Sequence, residues 1–79
     1  MKVTVLVRPK DGVLDPQGEA LDRSLQGLGY PRTGVRQGKV FDLEVGADDI
    51  EAARLIAGEL AERVLSNPLI EQWEVVVHG

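Results

Sequence analysis

The chain has no disulfide and no cysteine-based metal site, which are the features that usually stabilise small folds. Their absence is the strongest constraint on how this chain can fold. It has 79 residues, no cysteine and one histidine. Disulfides, thiolate nucleophiles, iron–sulfur clusters, cysteine-based zinc sites and histidine-rich metal sites are therefore excluded. A single core of this size supplies only about 3–5 kcal/mol, and natural small domains compensate with disulfides, metals or self-association. We expect one domain over residues 1–79 that self-associates as a dimer or a tetramer and holds no cofactor.

Charge and hydropathy argue against two classes of partner. Nine Lys and Arg residues against thirteen Asp and Glu residues leave a formal net charge of −4, so no net positive field attracts nucleic acid or an anionic membrane. No apolar run approaches the roughly 20 residues that span a bilayer, and the charged N-terminal residues do not resemble a secretory leader. We expect a cytoplasmic protein that binds neither nucleic acid nor membranes.

Alternating apolar and polar residues predict three strands. The first covers residues 2–8 and the third covers residues 70–78. The second covers residues 35–45. There Gly38 permits either a bulge within one long bent strand or a tight turn that divides it, and we favour the single strand. The residues predicted to form the more apolar strand faces are Val3, Val5, Val7, Val35, Phe41, Leu43, Val45, Trp73, Val75 and Val77.

Two helices are predicted between the strands. The first covers residues 16–28, with Asp15 as its N-cap, proline at its first position and Gly29 at its left-handed end. The second begins after Asp48, which forms a capping-box pattern with Glu51, and ends before Asn67. The apolar stripe of this second helix is formed by Ala53, Ile56, Ala57, Leu60 and Val64.

This β-α-β-α-β order predicts an α+β fold. Amphipathic helices between strands indicate a two-layer sandwich, with both helices on one face of a small sheet that has a long bent middle strand. The opposite face then mixes apolar and polar residues, which suits contact with another subunit. The predicted self-association residues on that face are Leu6, Val40, Ile70 and Val76.

No group in the sequence is well equipped for catalysis. The candidate nucleophiles are serines and threonines, and the only imidazole belongs to the penultimate residue, His78. The acidic pair Asp48-Asp49 fits a helix N-terminus, and Asp42 with Glu44 fits a strand face. The sequence contains neither a Walker A loop nor a GxGxxG motif. We therefore predict no catalytic, cofactor-binding or metal-ligating residue.

Basic residues beside two loops are the strongest local chemical feature. Arg8 and Lys10 lie at the end of the first predicted strand, and Arg36 and Lys39 lie beside Gly38. They fit an anion-binding or partner-docking patch, and they fit equally well ordinary solubilising charge that protects a sheet edge. Partner contact by Arg8, Lys10, Arg36 and Lys39 is therefore a hypothesis.

Four segments of the chain resemble one known family. They are Val7-Arg8-Pro9-Lys10, then Gly12-Val13-Leu14-Asp15-Pro16-Gln17-Gly18, then Leu28-Gly29-Tyr30, and finally Val35-Arg36-Gln37-Gly38-Lys39. They resemble PurS, the small subunit of bacterial and archaeal phosphoribosylformylglycinamidine (FGAM) synthase. The resemblance covers essentially the whole chain, and the segment from Arg8 to Gly18 is its most specific part.

The resemblance implies a non-catalytic role in the fourth step of purine synthesis. In that step formylglycinamide ribonucleotide, ATP and glutamine give FGAM, ADP, phosphate and glutamate. A PurL-type synthetase performs the amidation, and a PurQ-type glutaminase releases the ammonia. The resemblance implies that a PurS dimer bridges these two partners and supports ammonia transfer.

A second interpretation is an ACT-like regulatory module that senses a small ligand. Such modules share small size, α/β layering and dimerisation with the predicted fold. Their βαββαβ order would require Gly38 to be a hairpin turn. The sequence also leaves open the choice between dimer and tetramer, the stoichiometry of the full complex, and which loop meets which partner.

Overall fold

The computed structural model describes residues 1–78 and arranges them as a three-stranded antiparallel sheet with two helices. The elements are β1 (Lys2–Pro9), α1 (Pro16–Gly27), β2 (Lys39–Glu44), α2 (Ile50–Leu60) and β3 (Glu71–His78). A single π-helical turn, Ala61–Leu65, continues α2. The predicted α+β class and the β-α-β-α-β order are confirmed.

The first strand of the chain, β1, is the central strand of the sheet. The strand order is β2-β1-β3, and both pairings are antiparallel. Val5 shows the register, since it lies opposite Phe41 on β2 and Val75 on β3. Because side chains alternate along a strand, this register collects the inward apolar residues of all three strands on one face.

The core is a thin layer between that face and α2. The valines of β1 are at most 1% exposed, and the alanines that face them from α2 and the π-helical turn are fully buried. These alanines recur every four residues, so they form one line along the helix. The residues that meet in this layer are Val3, Val5, Val7, Ala53, Ala57 and Ala61.

The second strand is shorter than the sequence predicted. Residues 35–38 lie outside the sheet and run beside α1, where the Gln37 amide donates to Asp15. Gly38 immediately precedes β2, and a Cβ at this position would overlap the Val7 carbonyl oxygen. Gly38 therefore allows two backbone segments to approach closely, and it forms neither a bulge nor a hairpin turn. The strand order that an ACT-like module needs is absent from residues 1–78.

Two further positions differ from the predictions. The N-cap of α2 is Asp49 and not Asp48, because the Asp49 carboxylate accepts the Ala52 amide at 2.8 Å. Ile70 lies in the turn before β3, where its carbonyl accepts the Lys10 amide at 2.8 Å. It lines a cleft at the end of the sheet, so it is not part of the strand face on which self-association was predicted.

The first helix does not cover the sheet, although both helices were expected on one face. Within residues 1–78, the core and the hydrophobic residues packed against it include no residue of α1. The chain is accordingly elongated, with principal extents of 50 × 25 × 15 Å. Only α2 forms the second layer, and the buried polar side chain of α1, Asp22, accepts a hydrogen bond from the loop that follows this helix.

Ala57→Leu should destabilise the fold, because a fully buried alanine under α2 leaves no space for a larger side chain. Overpacking of this kind costs about 1–3 kcal/mol of unfolding free energy, which urea denaturation followed by circular dichroism measures. The matched control is Ala20→Leu on the exposed surface of α1, where a change within about 0.5 kcal/mol is expected. Equal losses in the two variants would contradict the packing of α2 on the sheet.

Candidate partner-binding surfaces

The sheet face opposite α2 is uncovered, and we call it the helix-free face. Leu6 lies opposite Val40 at its centre, and Val40 is 63% exposed. The structure therefore groups three of the four predicted self-association residues and leaves out Ile70. The strand residues that point to this face are Lys2, Thr4, Leu6, Arg8, Val40, Asp42, Glu44, Gln72, Glu74, Val76 and His78.

A polar cluster occupies one end of the helix-free face. The Thr4 hydroxyl donates to Asp42 Oδ1 at 2.8 Å, and its oxygen lies 2.8 Å from His78 Nε2. A hydroxyl has one proton, and here Asp42 accepts it, so His78 Nε2 carries the proton of the second bond. The imidazole donates to Thr4 and does not remove its proton. In this arrangement His78 is a hydrogen-bonding group on the helix-free face.

Three of the four predicted docking residues meet at the other end of the sheet. Arg8, Arg36 and Lys39 line an open hollow of about 290 Å³, which we call the basic hollow. The Lys10 side chain lies beside a different depression, next to Trp73. Only the backbone of Lys10 joins the group, because its carbonyl accepts Arg36 Nη2 at 3.0 Å.

Each cation of the basic hollow has an acidic neighbour at long distance. A charge-assisted hydrogen bond has a heavy-atom distance of roughly 2.7–2.9 Å, and all three pairs are longer. Exposed ion pairs of this kind contribute little to stability, so the cations keep most of their capacity to donate. The pairs are Arg8 Nη1 with Glu74 Oε2 at 3.6 Å, Lys39 Nζ with Glu71 Oε2 at 3.7 Å, and Arg36 Nε with Asp15 Oδ2 at 3.9 Å.

Two aspartates tie α1 to the loop that follows it. Asp15 caps the helix and also accepts the Gln37 amide at 2.8 Å. Asp22 accepts the backbone amide and the hydroxyl of Thr33, each at 2.9 Å. Asp22 is 3% exposed, so these bonds satisfy a carboxylate that would otherwise be buried at high cost. We call residues 15–37, joined in this way, the α1 arm.

The same hydrogen bonds lower the pKa of both carboxyl groups. The largest cause for Asp15 is the Gln37 amide, followed by the Gly18 amide, and for Asp22 it is the Thr33 amide, followed by the Thr33 hydroxyl. Donors to a carboxylate favour its charged form. The folded pKa lies below the unfolded value of about 3.9. The stabilisation is therefore complete above that value and is lost as the pH falls through the folded pKa.

The helix of the α1 arm ends as the sequence predicted. Gly29 has a φ of +97°, and its amide donates to the Gln26 carbonyl at 3.0 Å. The Tyr30 amide donates to the Leu25 carbonyl at 3.1 Å. This pair of bonds is a Schellman motif, which requires the left-handed glycine. The arm also carries an apolar stripe that consists of Leu21, Leu25 and Leu28, in which Leu21 and Leu28 are exposed and Leu25 is half-buried.

A second uncovered apolar surface lies between α2 and β2. Arg54 donates to the Val75 carbonyl at 3.2 Å, so that side of α2 faces β3. Positions 56 and 60 project about 160° and 120° away from position 54 around the helix, and they therefore face the β2 side. The inward side chains of β2 beside them are only half-buried. We call this surface the apolar trough, and it consists of Phe41, Leu43, Ile56 and Leu60.

The apolar trough corrects the predicted stripe of α2. The sequence placed Ile56, Leu60 and Val64 against the sheet together with the alanines. In the structure Ile56 and Leu60 remain 37% and 38% exposed, and Val64 is more exposed still. Alanine side chains let α2 lie close to β1, so the larger residues project beside the contact and not into it. Helical spacing alone does not distinguish these two arrangements.

These surfaces define a class of protein. This is a small α+β domain with an open sheet face, a basic hollow and an apolar trough. It leaves large hydrophobic side chains exposed on both apolar surfaces, among them Val40, Val76, Ile56 and Leu60, which is typical of a chain that binds other chains. No helix among residues 1–78 is both long and apolar enough to cross a membrane.

Comparison with known families identifies the particular protein type. The family described as "PurS: Phosphoribosylformylglycinamidine (FGAM) synthase" matches residues 2–79. The chain belongs to the PurS family, and it is thus a non-catalytic subunit of FGAM synthase. This result confirms the predicted resemblance and gives no support to the ACT-like alternative.

Curated relatives align with this chain along almost their whole length. The PurS subunit of Archaeoglobus fulgidus is 36% identical over 77 residues, which cover 96% of this chain and 96% of the relative. The PurS subunit of Mycobacterium leprae is 41% identical over 76 residues, which cover 92% of this chain and 87% of the relative.

Solved structures show the same fold. PurS from Bacillus subtilis superposes with a TM-score of 0.84 at 35% identity and covers 99% of this chain and 98% of its own. A chain in the structure of PurLQS from Thermotoga maritima superposes with a TM-score of 0.84 at 37% identity, covering 95% of this chain and 93% of its own.

Asp22→Asn should flatten the acid part of the pH–stability profile. The amide that replaces the Asp22 carboxylate has no negative charge for the Thr33 donors to stabilise. The variant therefore lacks, at every pH, the stabilisation that the parent loses on acidification. Unfolding free energies from urea titrations between about pH 7 and pH 3 test this, and the variant should be less stable only at the upper end. Asp11→Asn, at an exposed carboxylate outside the α1 arm, is the matched control. Parallel profiles for the parent and Asp22→Asn would contradict the role of Asp22.

Proposed function

We propose that this chain bridges the glutaminase and synthetase subunits of FGAM synthase and supports the transfer of ammonia between them. The observation that carries the proposal is the PurS family match over residues 2–79. The likeness to a chain in the PurLQS structure adds support, because that structure contains the subunit types that would be bridged. The proposal includes a single PurS-like domain over residues 1–79 in the cytoplasm, where purine synthesis would use it.

Bridging has a physical purpose in this reaction. The glutaminase would release ammonia from glutamine, and the synthetase would use it to convert formylglycinamide ribonucleotide and ATP to FGAM. In bulk water ammonia diffuses away, and most of it gains a proton at neutral pH and ceases to be a nucleophile. A subunit that seals the junction between two active sites keeps water out of the path. Such a subunit needs contact surfaces and no catalytic group of its own.

Self-association is the second part of the proposal. The helix-free face offers one apolar contact through Leu6, Val40 and Val76. The α1 arm and the apolar trough offer another, because the leucine stripe of the arm is uncharged and the trough is a helix-wide apolar surface without a cover. Within the arm, Asp22 and Asp15 hold α1 against the loop that follows it. The trough is therefore suited to the arm of a second copy, and a two-fold axis would repeat the contact.

Omission of the chain from a reconstituted mixture of synthetase and glutaminase should abolish glutamine-dependent FGAM formation. High ammonium should partly restore the product, since free ammonia replaces delivery but leaves the amidation chemistry unchanged. A coupled assay for ADP and a direct assay for FGAM measure both rates. Equal losses with the two nitrogen sources would refute a role in delivery and would indicate that the synthetase needs this chain for its own structure.

Charged substitutions on either apolar surface should weaken self-association. Val40→Lys on the helix-free face and Ile56→Lys in the apolar trough each place an unpaired charge in a proposed interface, which is costly. Sedimentation velocity at micromolar concentration should show a lower mass for both variants. Leu55→Lys, at an exposed position on the outer side of α2, is the matched control. A parent that sediments as a stable monomer would refute the proposal.

A further inference from the structure

The basic hollow combines two kinds of surface in one small space. Three cations, Arg8, Arg36 and Lys39, lie around it, and Leu6 and Val40 form part of its lining. Its volume is about 290 Å³, which is enough for one or two side chains and too small for a folded element. The hollow therefore offers a place for a short protruding segment.

The charge of the hollow is opposite to that of the chain as a whole. The formal net charge is −4, yet three of the nine basic residues lie around this one depression. Their acidic neighbours lie 3.6–3.9 Å away, beyond the range of strong charge-assisted hydrogen bonds. A carboxylate that enters the hollow can therefore gain shorter bonds from the same guanidinium and ammonium groups.

The apolar part of the lining narrows the class of ligand. A free phosphate would satisfy the cations but would leave Leu6 and Val40 against water. A glutamate side chain carries two methylene groups behind its carboxylate, so one residue can cover the apolar surface and reach the cations. Leu6 and Val40 also belong to the helix-free face. A segment in the hollow therefore displaces a second copy from that face, and self-association in the complex rests on the α1 arm and the apolar trough.

We propose that the basic hollow docks an acidic segment of a partner protein, with a carboxylate between Arg8, Arg36 and Lys39 and apolar atoms against Leu6 and Val40. This inference rests on the proposed bridging function, in which the partner is a synthetase or glutaminase subunit. Charge complementarity selects such a segment over a basic or neutral one. The side chain of Lys10 has no part in the site, because it lies beside a different depression.

The double variant Arg8→Gln/Lys39→Gln tests the site without touching the α1 arm. Its binding to the immobilised synthetase and glutaminase subunits is measured by biolayer interferometry at several salt concentrations. Loss of steering charge should slow association with one of the two partners by about tenfold at low salt and reduce the salt dependence of the rate. Lys10→Gln/Arg63→Gln removes the same net charge at exposed positions outside the hollow, the helix-free face and the α1 arm, and it should associate like the parent.

Each other outcome counts against the site in a different way. If the parent binds a partner and both double variants bind equally well, the hollow is not a docking site, while the bridging function stands. If the parent binds neither partner, the bridging function and this inference both fail. If the double variant loses only self-association, the occupant is a second copy. If inorganic phosphate raises the melting temperature of the parent but not of the double variant, the hollow is a phosphate site.

Discussion

The contact between the valines of β1 and the alanine line of α2 is the interaction on which the rest of this fold depends. β1 is the central strand, so both other strands are attached to the sheet through it. From α2, its inward residues Val3, Val5 and Val7 meet short alanine side chains, and the resulting core is thin. A thin core in 79 residues without a disulfide leaves little free energy in reserve. Larger apolar residues, among them Ile56 and Phe41, stay partly exposed because nothing in the same chain covers them.

Local chemistry was predictable from the sequence, and long-range polar contacts were not. The valine alternation of β1, the Asp15 cap and the Gly29 helix ending each depend on residues within one turn or one strand, so the pattern contains the whole signal. The contact between α1 and the loop that follows it depends instead on the bonds between Asp22 and Thr33, eleven residues apart. No periodicity encodes such a pair. The predicted strand over residues 35–45 is confirmed only from Lys39 to Glu44, and Asp15 takes the Gln37 amide that a longer ladder would need.

The candidate site was predictable to a similar extent. The structure brings Arg8 and Lys39 together, since an antiparallel pairing places the end of β1 beside the start of β2. Lys10 was grouped wrongly, because the chain turns away after Pro9 and directs that side chain elsewhere. Ile70 was assigned to the helix-free face by extending the alternation of β3 one residue too far. In both cases a strand pattern was continued past the point where hydrogen bonding ends, and alternation by itself does not mark that point.

Because α2 alone covers the sheet, the assembly of the proposed complex would also affect the stability of this chain. Any partner that binds the folded chain and not the unfolded chain shifts the equilibrium towards folding in proportion to its concentration. Phe41 and Leu60 in the apolar trough are half-exposed in the isolated chain. A partner that covers the trough would therefore stabilise the fold most, because it buries apolar surface that otherwise contacts water. Binding of the partner at the junction where ammonia passes would then stabilise the folded form of this chain. A loosely packed junction would admit water, so the same burial that completes the fold would also close the path.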